Sequence, residues 1–74
     1  MSTLKKLREQ KNYSQGQLAY LSKVNINTIR AYEQRSRDIN KASGNILSRL
    51  ASALDCSIEE LFEHDSVVKL NSKT

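Results

Sequence analysis

The sequence predicts an all-α fold, a compact five-helix bundle in a single domain. Apolar residues recur at intervals of three and four along most of the chain, and Ser or Asn residues able to cap a helix precede these stretches. The 74 residues also include no Pro and only two Gly, so few positions interrupt a helix. We place the domain at residues 1–63 and a C-terminal tail at residues 64–74.

The first helix is predicted over residues 3–11. Leu4 and Leu7 lie three residues apart, so they share one face of the helix, which we expect to point into the core. The cations of this segment fall on the side that faces water: Lys5, Lys6 and Lys11. The spacing thus predicts an amphipathic helix at the start of the chain.

The second and third helices are predicted over Gln15–Ser22 and Ile26–Gln34. Ser14 is a good N-cap that Gln17 completes as a capping box, and Asn25 is the N-cap of the next helix. Because only about three residues separate the helices, they must cross at a steep angle, as in a helix-turn-helix. The apolar residues expected to meet across this crossing are Leu18, Leu21, Ile29 and Tyr32.

The fourth helix is predicted over Ser43–Leu54 and follows a connection at residues 35–42. Ile39 is expected to anchor this connection in the core. Either Asn40 or Ser43 is a suitable N-cap for the helix, and the sequence does not decide between them. The apolar face of the helix has the i, i+3, i+4 spacing of a core-facing helix and consists of Ile46, Leu47, Leu50, Ala51 and Leu54.

A fifth, short helix is predicted over Ile58–Glu63. Ser57 and Glu60 have the spacing of a capping box at its start. Cys56, in the turn before it, is expected to be a small buried hydrophobic residue rather than a reactive thiol. Beyond the helix, Val67, Val68 and Leu70 are the apolar residues of the tail, which is either a dimerisation arm or disordered.

The stretch from Ser14 to Arg35 resembles the helix-turn-helix of the phage repressor and Cro-type family of small DNA-binding domains. The matching residues within it are Gln15, Leu18, Ala19, Val24, Asn25, Ile29, Tyr32 and Glu33. The family's first helix is matched by Leu4, Leu7 and Arg8, and its last two by Leu50, Ala51, Leu54, Ser57 and Leu61. The resemblance extends from Leu4 to Phe62 and implies a lambda-repressor-like fold and DNA binding.

The resemblance also implies structural roles for several residues. Lys23 and Arg35 stand where the family usually has Gly, so Lys23 is expected to adopt a left-handed conformation that costs a non-Gly residue about 1 kcal/mol. Ala19 lies on the inner side, where a bulky side chain would push the two helices apart. Arg8 and Glu33 are expected to form an ion pair between the first and third helices; the alternative is an ordinary exposed arginine.

The charge of the chain is uneven. Residues 1–54 hold ten Lys or Arg and three Asp or Glu, a net charge of +7, whereas residues 55–74 hold two and five, a net charge of −3; the sum is +4. A basic body with an acidic end suits a partner bound at one face, and nucleic acid is the usual partner of such a face. The alternative is a solvated surface that is merely basic.

The outward side of the third helix is predicted to contact DNA. With Ile29 and Tyr32 facing inward, the residues predicted to contact bases in the major groove are Ile26, Asn27, Arg30 and Ala31. The residues predicted to contact phosphates are Gln15, Thr28, Gln34, Arg35, Arg37 and Lys41. The alternative for both sets is a solvated helix face.

The sequence offers no chemistry for catalysis. His64 has no Cys or second His at metal-ligand spacing, and Gly16 and Gly44 are isolated rather than part of a phosphate-binding loop. The single Cys56 cannot form an internal disulfide, and no apolar run approaches the roughly 20 residues of a membrane span. We therefore expect a cytoplasmic protein without enzymatic activity, metal, cofactor or membrane association.

These expectations combine into a sequence-specific DNA-binding regulator of transcription, bacterial or phage in origin. It resembles the phage repressors, and the sequence does not decide between a repressor and an activator. The chain has no room for a ligand domain, so no small-molecule ligand is expected. Family members usually bind as dimers to two-fold operators, and we expect a homodimer on double-stranded DNA here. The alternative is a protein-interaction module on the same fold, such as an antitoxin or co-regulator.

Overall fold

The structure, a computed structural model, describes residues 2–63, which form an all-helical fold with no strand in that range. Its elements are α1 (Thr3–Gln10), α2 (Gln15–Ser22), α3 (Ile26–Glu33) and α4 (Gly44–Leu54), with short 3-10 turns at Ile39–Lys41 and Glu59–Leu61. None of these helices is both long enough and apolar enough to cross a bilayer. The tail at residues 64–74, for which an arm or disorder was expected, lies outside the described residues.

The five-helix prediction is wrong in its last element, because residues 2–63 contain four α-helices and the fifth segment is only a 3-10 turn. The capping box does form, with Ser57 N–H donating to Glu60 Oε2 at 2.7 Å and Glu60 N–H donating to Ser57 Oγ at 3.3 Å. The helix does not continue because Phe62 is extended and the N–H of Glu63 donates to Asn40 Oδ1. This N–H is therefore not available for the i to i−4 hydrogen bond that would extend a helix.

The predicted helix starts at α2 and α3 are confirmed by their caps. Ser14 and Gln17 form the reciprocal capping box, and Asn25 Oδ1 accepts from the N–H of Asn27 at 2.7 Å. At α4 the structure decides in favour of Ser43, whose Oγ accepts from the N–H of Ile46 at 3.2 Å. Side-chain oxygens thus satisfy backbone donors that helix geometry leaves without partners.

One core serves all the helices and the connection between α3 and α4. Its buried apolar residues are Leu4, Leu18, Val24, Ile29, Tyr32, Ile39, Leu47, Leu50, Ala51, Leu54 and Leu61. The burial of Ile39 confirms that it anchors the connection, since only 2% of its surface is exposed. The small Ala19 is half-buried and packs against this core.

Leu21 does not lie at the crossing of α2 and α3, contrary to the prediction, and 48% of its surface is exposed. The buried face of α2 is formed by Leu18 and Ser22, which lie four residues apart. A polar residue is accommodated there because Ser22 Oγ donates to the carbonyl of Leu18 at 2.7 Å and accepts from the N–H of Val24 at 3.2 Å. The apolar residues of α2 are distributed around the helix rather than along one face, so periodicity did not identify its buried face.

Four residues of the described chain other than Gly have positive φ. Lys23 has φ 60° and ψ 30° at the C-terminus of α2, which is the left-handed conformation predicted for it. Arg35 has φ 64°, and it occupies the second position where the resemblance implies Gly. The remaining two, Asn12 and Asp55, are residue types that enter this region more readily than most.

Candidate nucleic-acid interface

The outward face of α3 is polar, and its inward face is tightly packed. Ile29 and Tyr32 are 0% and 2% exposed, which fixes the rotation of the helix on the core. Asn27 and Arg30 are exposed as a consequence of this rotation. The other candidate contacts on the helix are half-buried: Ile26, Thr28 and Ala31. Gln34, which caps the C-terminus of α3, is exposed.

A buried ion pair between Arg8 and Glu33 joins α1 to the C-terminal end of α3. Arg8 Nε lies 2.7 Å from Glu33 Oε2, and Arg8 Nη2 donates to Glu33 Oε1 at 3.1 Å, so the predicted pair is present and bidentate. The side chains of Arg8 and Glu33 are only 10% and 3% exposed. Arg8 Nη1 also donates to the carbonyl of Tyr13 at 2.7 Å. The hydrogen bond to Glu33 raises the pKa of Arg8, outweighing the opposing effect of burial.

Gln15 links this pair to the outward face. Its Nε2 donates to Glu33 Oε1 at 3.0 Å, and its Oε1 accepts from Arg30 Nε at 3.3 Å. The structure therefore brings together a residue expected to contact phosphate, Gln15, and one expected to contact a base, Arg30. Sequence spacing did not indicate this contact, because Gln15 and Arg30 lie on different helices.

The cations of the connection lie in different local environments. Arg35 Nη2 donates to Glu63 Oε1 at 2.7 Å. Arg35, one of the candidate phosphate-binding residues, is therefore already paired with a carboxylate. The guanidinium of Arg37 stacks over the ring of Tyr32, with 5.4 Å between its central carbon and the ring centroid. Lys41 is exposed at the end of the first 3-10 turn.

Glu63 is a structural residue that the sequence analysis missed. Its Oε2 accepts from the N–H of Thr3 at 2.9 Å, in the first turn of α1. Asn40 binds both backbone groups of Glu63, accepting from its N–H and donating to its carbonyl, each at 2.8 Å. Glu63 follows the last apolar residues of the domain, where neither periodicity nor capping suggests a partner.

The outer face of α2 differs from the surface around α3 in carrying no charge. Tyr20 is 83% exposed and Leu21 is 48% exposed, and α2 contains no charged residue. A surface hollow of about 410 Å³ lies here, lined by Tyr13, Ser14, Gly16, Gln17, Tyr20 and Leu21.

Cys56 and the acidic residues form no reactive or metal-binding cluster in the described range. Burial is the main cause of the raised pKa of the half-buried Cys56 thiol, and the nearby Glu60 and Asp55 act in the same direction. A raised pKa leaves less of the nucleophilic thiolate. Within residues 2–63, no three His, Cys, Asp or Glu side chains gather as a metal site requires.

Comparison with known families agrees with this architecture. A family model described as helix-turn-helix matches residues 4–61. The match covers almost the same range as the resemblance to the phage repressor and Cro-type domains, and it confirms that resemblance. No curated protein and no solved structure matches the chain.

Proposed function

The chain belongs to the helix-turn-helix family of DNA-binding domains, and from that membership we propose that it regulates transcription by binding a specific double-stranded DNA sequence. The observation that carries this proposal is the division of α3 into a buried and a polar face. Ile29 and Tyr32 anchor the helix, while Asn27 and Arg30 face outward. We place this activity in the cytoplasm of a bacterium or in a phage-infected cell.

In the proposed complex, α3 lies in the major groove with its N-terminal part against the base edges. The amide of Asn27 suits adenine, which offers N7 as an acceptor and N6 as a donor. The guanidinium of Arg30 suits O6 and N7 of guanine, and the side chains of Ile26 and Ala31 suit thymine methyl groups.

Phosphate contacts hold the helix in register without reading sequence. The proposed contacts around α3 are Thr28, Gln34, Arg35, Arg37 and Lys41. The cations among them supply the salt-dependent part of the affinity, because each one bound to DNA releases counterions. Arg35 differs from the others in that a DNA phosphate has to share its guanidinium with Glu63.

A single domain of this size reads only a short half-site, so we propose that two copies bind a two-fold operator. Two-fold symmetry in the protein is then matched by two-fold symmetry in the DNA.

The proposal is tested by comparing Asn27→Ala with Lys41→Ala, after selecting bound sites from a random duplex pool. Asn27→Ala should cost on the order of 1–3 kcal/mol at the selected site and relax the preference at one base pair. Its binding to random DNA should barely change. Lys41→Ala should weaken binding to both DNAs and lower the slope of log K against log salt by about 0.9 per bound subunit.

Lys6→Ala is the matched control, because Lys6 is exposed on α1, outside the proposed interface. If Asn27→Ala weakens both DNAs equally, α3 does not read sequence. If neither Asn27→Ala nor Lys41→Ala affects binding to any DNA, the DNA-binding proposal fails.

A protein-interaction module is the second candidate, and the exposed Tyr20 and Leu21 on α2 favour it. This surface is uncharged, which suits a protein partner better than a phosphate backbone. The two candidates predict different salt dependence: a partner bound at α2 should be insensitive to salt and lost on Tyr20→Ala, whereas DNA binding should be strongly salt-dependent and unaffected by that change.

A further inference from the structure

Gln15 stands between a buried carboxylate and the arginine proposed to read a base. Its side chain spans from Glu33 Oε1, 3.0 Å from its Nε2, to Arg30 Nε, 3.3 Å from its Oε1. Gln15 is the first residue of α2, while Glu33 and Arg30 both belong to α3. The contact therefore joins the two helices at the edge of the outward face.

The orientation of the Gln15 amide is determined by Glu33. An ionised carboxylate only accepts hydrogen bonds, so the NH₂ group of Gln15 must point toward it. The carbonyl oxygen of Gln15 must then point away, toward Arg30. The carboxylate of Glu33 is itself fixed in position, because Arg8 binds it in a bidentate pair and its side chain is only 3% exposed.

This orientation limits which donors Arg30 presents to the groove. A guanidinium has five N–H donors, and the one on Nε is taken by Gln15. The terminal nitrogens, Nη1 and Nη2, are then the pair that remains for O6 and N7 of guanine. An exposed arginine also loses rotamer freedom on binding, and a guanidinium oriented in advance loses less.

We propose that Gln15 is a positioning residue for Arg30, so that discrimination at the base pair read by Arg30 depends on a side chain that does not touch that base. This inference rests on the proposed function, because it assumes that Arg30 reads a base. It replaces the phosphate contact expected for Gln15 with a role in specificity.

The test measures the affinities of the wild type, Gln15→Ala, Arg30→Ala and the double variant for two duplexes. One duplex is the selected site, and the other differs only at the base pair where Arg30→Ala relaxes the preference. Arg30→Ala should reduce discrimination roughly tenfold or more, and Gln15→Ala roughly threefold to tenfold. In the Arg30→Ala background, Gln15→Ala should have no further effect on discrimination.

Gln10→Ala is the matched control, since Gln10 is an exposed glutamine at the end of α1. Gln15→Leu provides a second variant that fills much of the same space without either polar group, and urea unfolding shows whether each variant is folded. A direct readout without DNA is the exchange of the Arg30 Nε–H with water, followed by NMR. Gln15→Ala and Gln15→Leu should accelerate this exchange, and Gln10→Ala should leave it unchanged.

The outcomes separate the two proposals. If Arg30→Ala reduces discrimination but both Gln15 variants retain it, the inference is overturned while the proposed function stands. If the Gln15 variants weaken both duplexes equally, even in the Arg30→Ala background, Gln15 is a phosphate contact. If the exchange of the Arg30 Nε–H is as fast in the wild type as in Gln15→Ala, Gln15 does not position it. If Arg30→Ala changes no DNA binding, Arg30 does not read a base and the inference is overturned, whereas the proposed DNA binding is decided by Asn27→Ala and Lys41→Ala.

Discussion

A residue whose backbone conformation is unfavourable for its type shows where the fold constrains the backbone. Lys23 adopts φ 60° at the end of α2, where its N–H donates to the carbonyl of Ala19 at 2.9 Å and closes the helix. The tight turn before Asn25 requires this conformation, because α3 begins only three residues later. The side chain of Lys23 makes the conformation costlier than it is for Gly.

Lys23→Gly is therefore expected to be neutral or to stabilise the fold by up to about 1 kcal/mol. Relief of the left-handed strain favours the folded state, while the extra freedom of Gly favours the unfolded chain. Urea unfolding measures the net effect. Lys6→Gly within α1, where φ is helical, should instead destabilise by about 1 kcal/mol. A clear loss of stability in Lys23→Gly would contradict the strain argument.

The Arg8–Glu33 pair should show strong coupling in a double-mutant cycle. Removing one partner leaves a shielded charge without its counterpart, so each single Ala variant should lose on the order of 3–5 kcal/mol and the double variant less. The exposed Lys11–Asp55 pair, at 3.9 Å with side chains 41% and 90% exposed, is the control and should couple by less than about 1 kcal/mol. Equal coupling in the two cycles would refute the role assigned to burial.

Arg8 should not make the free energy of unfolding depend on pH in the range where arginines remain charged. The pKa of Arg8 is raised in the folded state, so its stabilisation is complete below the unfolded pKa and is lost only as the pH rises through the folded value. Unfolding free energies of the wild type and Arg8→Ala, measured from neutral to mildly alkaline pH, should run parallel. A wild-type advantage that shrinks from neutral to mildly alkaline pH would contradict this expectation.

At the scale of elements, the end of the domain is held by side chains rather than by a helix. Asn40 binds both backbone groups of Glu63, and the carboxylate of Glu63 bonds Arg35 and the first turn of α1. These contacts connect the end of the described chain to α1 and to the connection at residues 35–42. Leu61 still reaches the core and is fully buried.

Asn40→Ala should accordingly destabilise the fold by about 1–2 kcal/mol, since it removes two hydrogen bonds of roughly 0.5–1.5 kcal/mol each. Asn45→Ala is the control, because Asn45 is an exposed residue of α4 and its change should stay within about 0.5 kcal/mol. Chemical denaturation of both variants is sufficient for the comparison. If Asn40→Ala loses no more stability than Asn45→Ala, water replaces these hydrogen bonds without a loss of unfolding free energy.

At the scale of the whole molecule, residues 2–63 contain a core to which every helix contributes. The ion pair of Arg8 and Glu33 joins α1 to α3, and the bonds of Glu63 close the chain back onto Thr3. The domain therefore should not need the tail in order to fold.

If the tail is the dimerisation arm, deletion of residues 65–74 should leave a folded monomer. Its unfolding midpoint should stay close to that of the full chain, because residues 2–63 form a core to which every helix contributes. Light scattering on both proteins reports the oligomeric state. A truncated protein that remains dimeric would show that the tail is not the dimerisation arm, and would move the interface to the segment after α4 or to the connection at residues 35–42.

Features determined by neighbouring residues were predictable from the sequence. The caps Ser14 and Asn25 act on N–H groups two or three residues away, so the starts of α2 and α3 follow from the local sequence. The resemblance, itself a pattern along the chain, implied the left-handed Lys23 and the Arg8–Glu33 pair. The all-helical class follows from periodicity and from the absence of Pro.

Only the tertiary structure decided features that depend on residues distant in sequence. The predicted fifth helix is only a 3-10 turn, and it does not continue because Asn40, 23 residues away, binds the backbone groups of Glu63. Leu21 faces outward because Leu18 packs in the core with residues of the other helices, and this packing sets the rotation of α2. The direction of the Gln15 amide depends on Glu33, 18 residues away. Capping and periodicity act over one or two turns of helix, so they carry no information about such contacts.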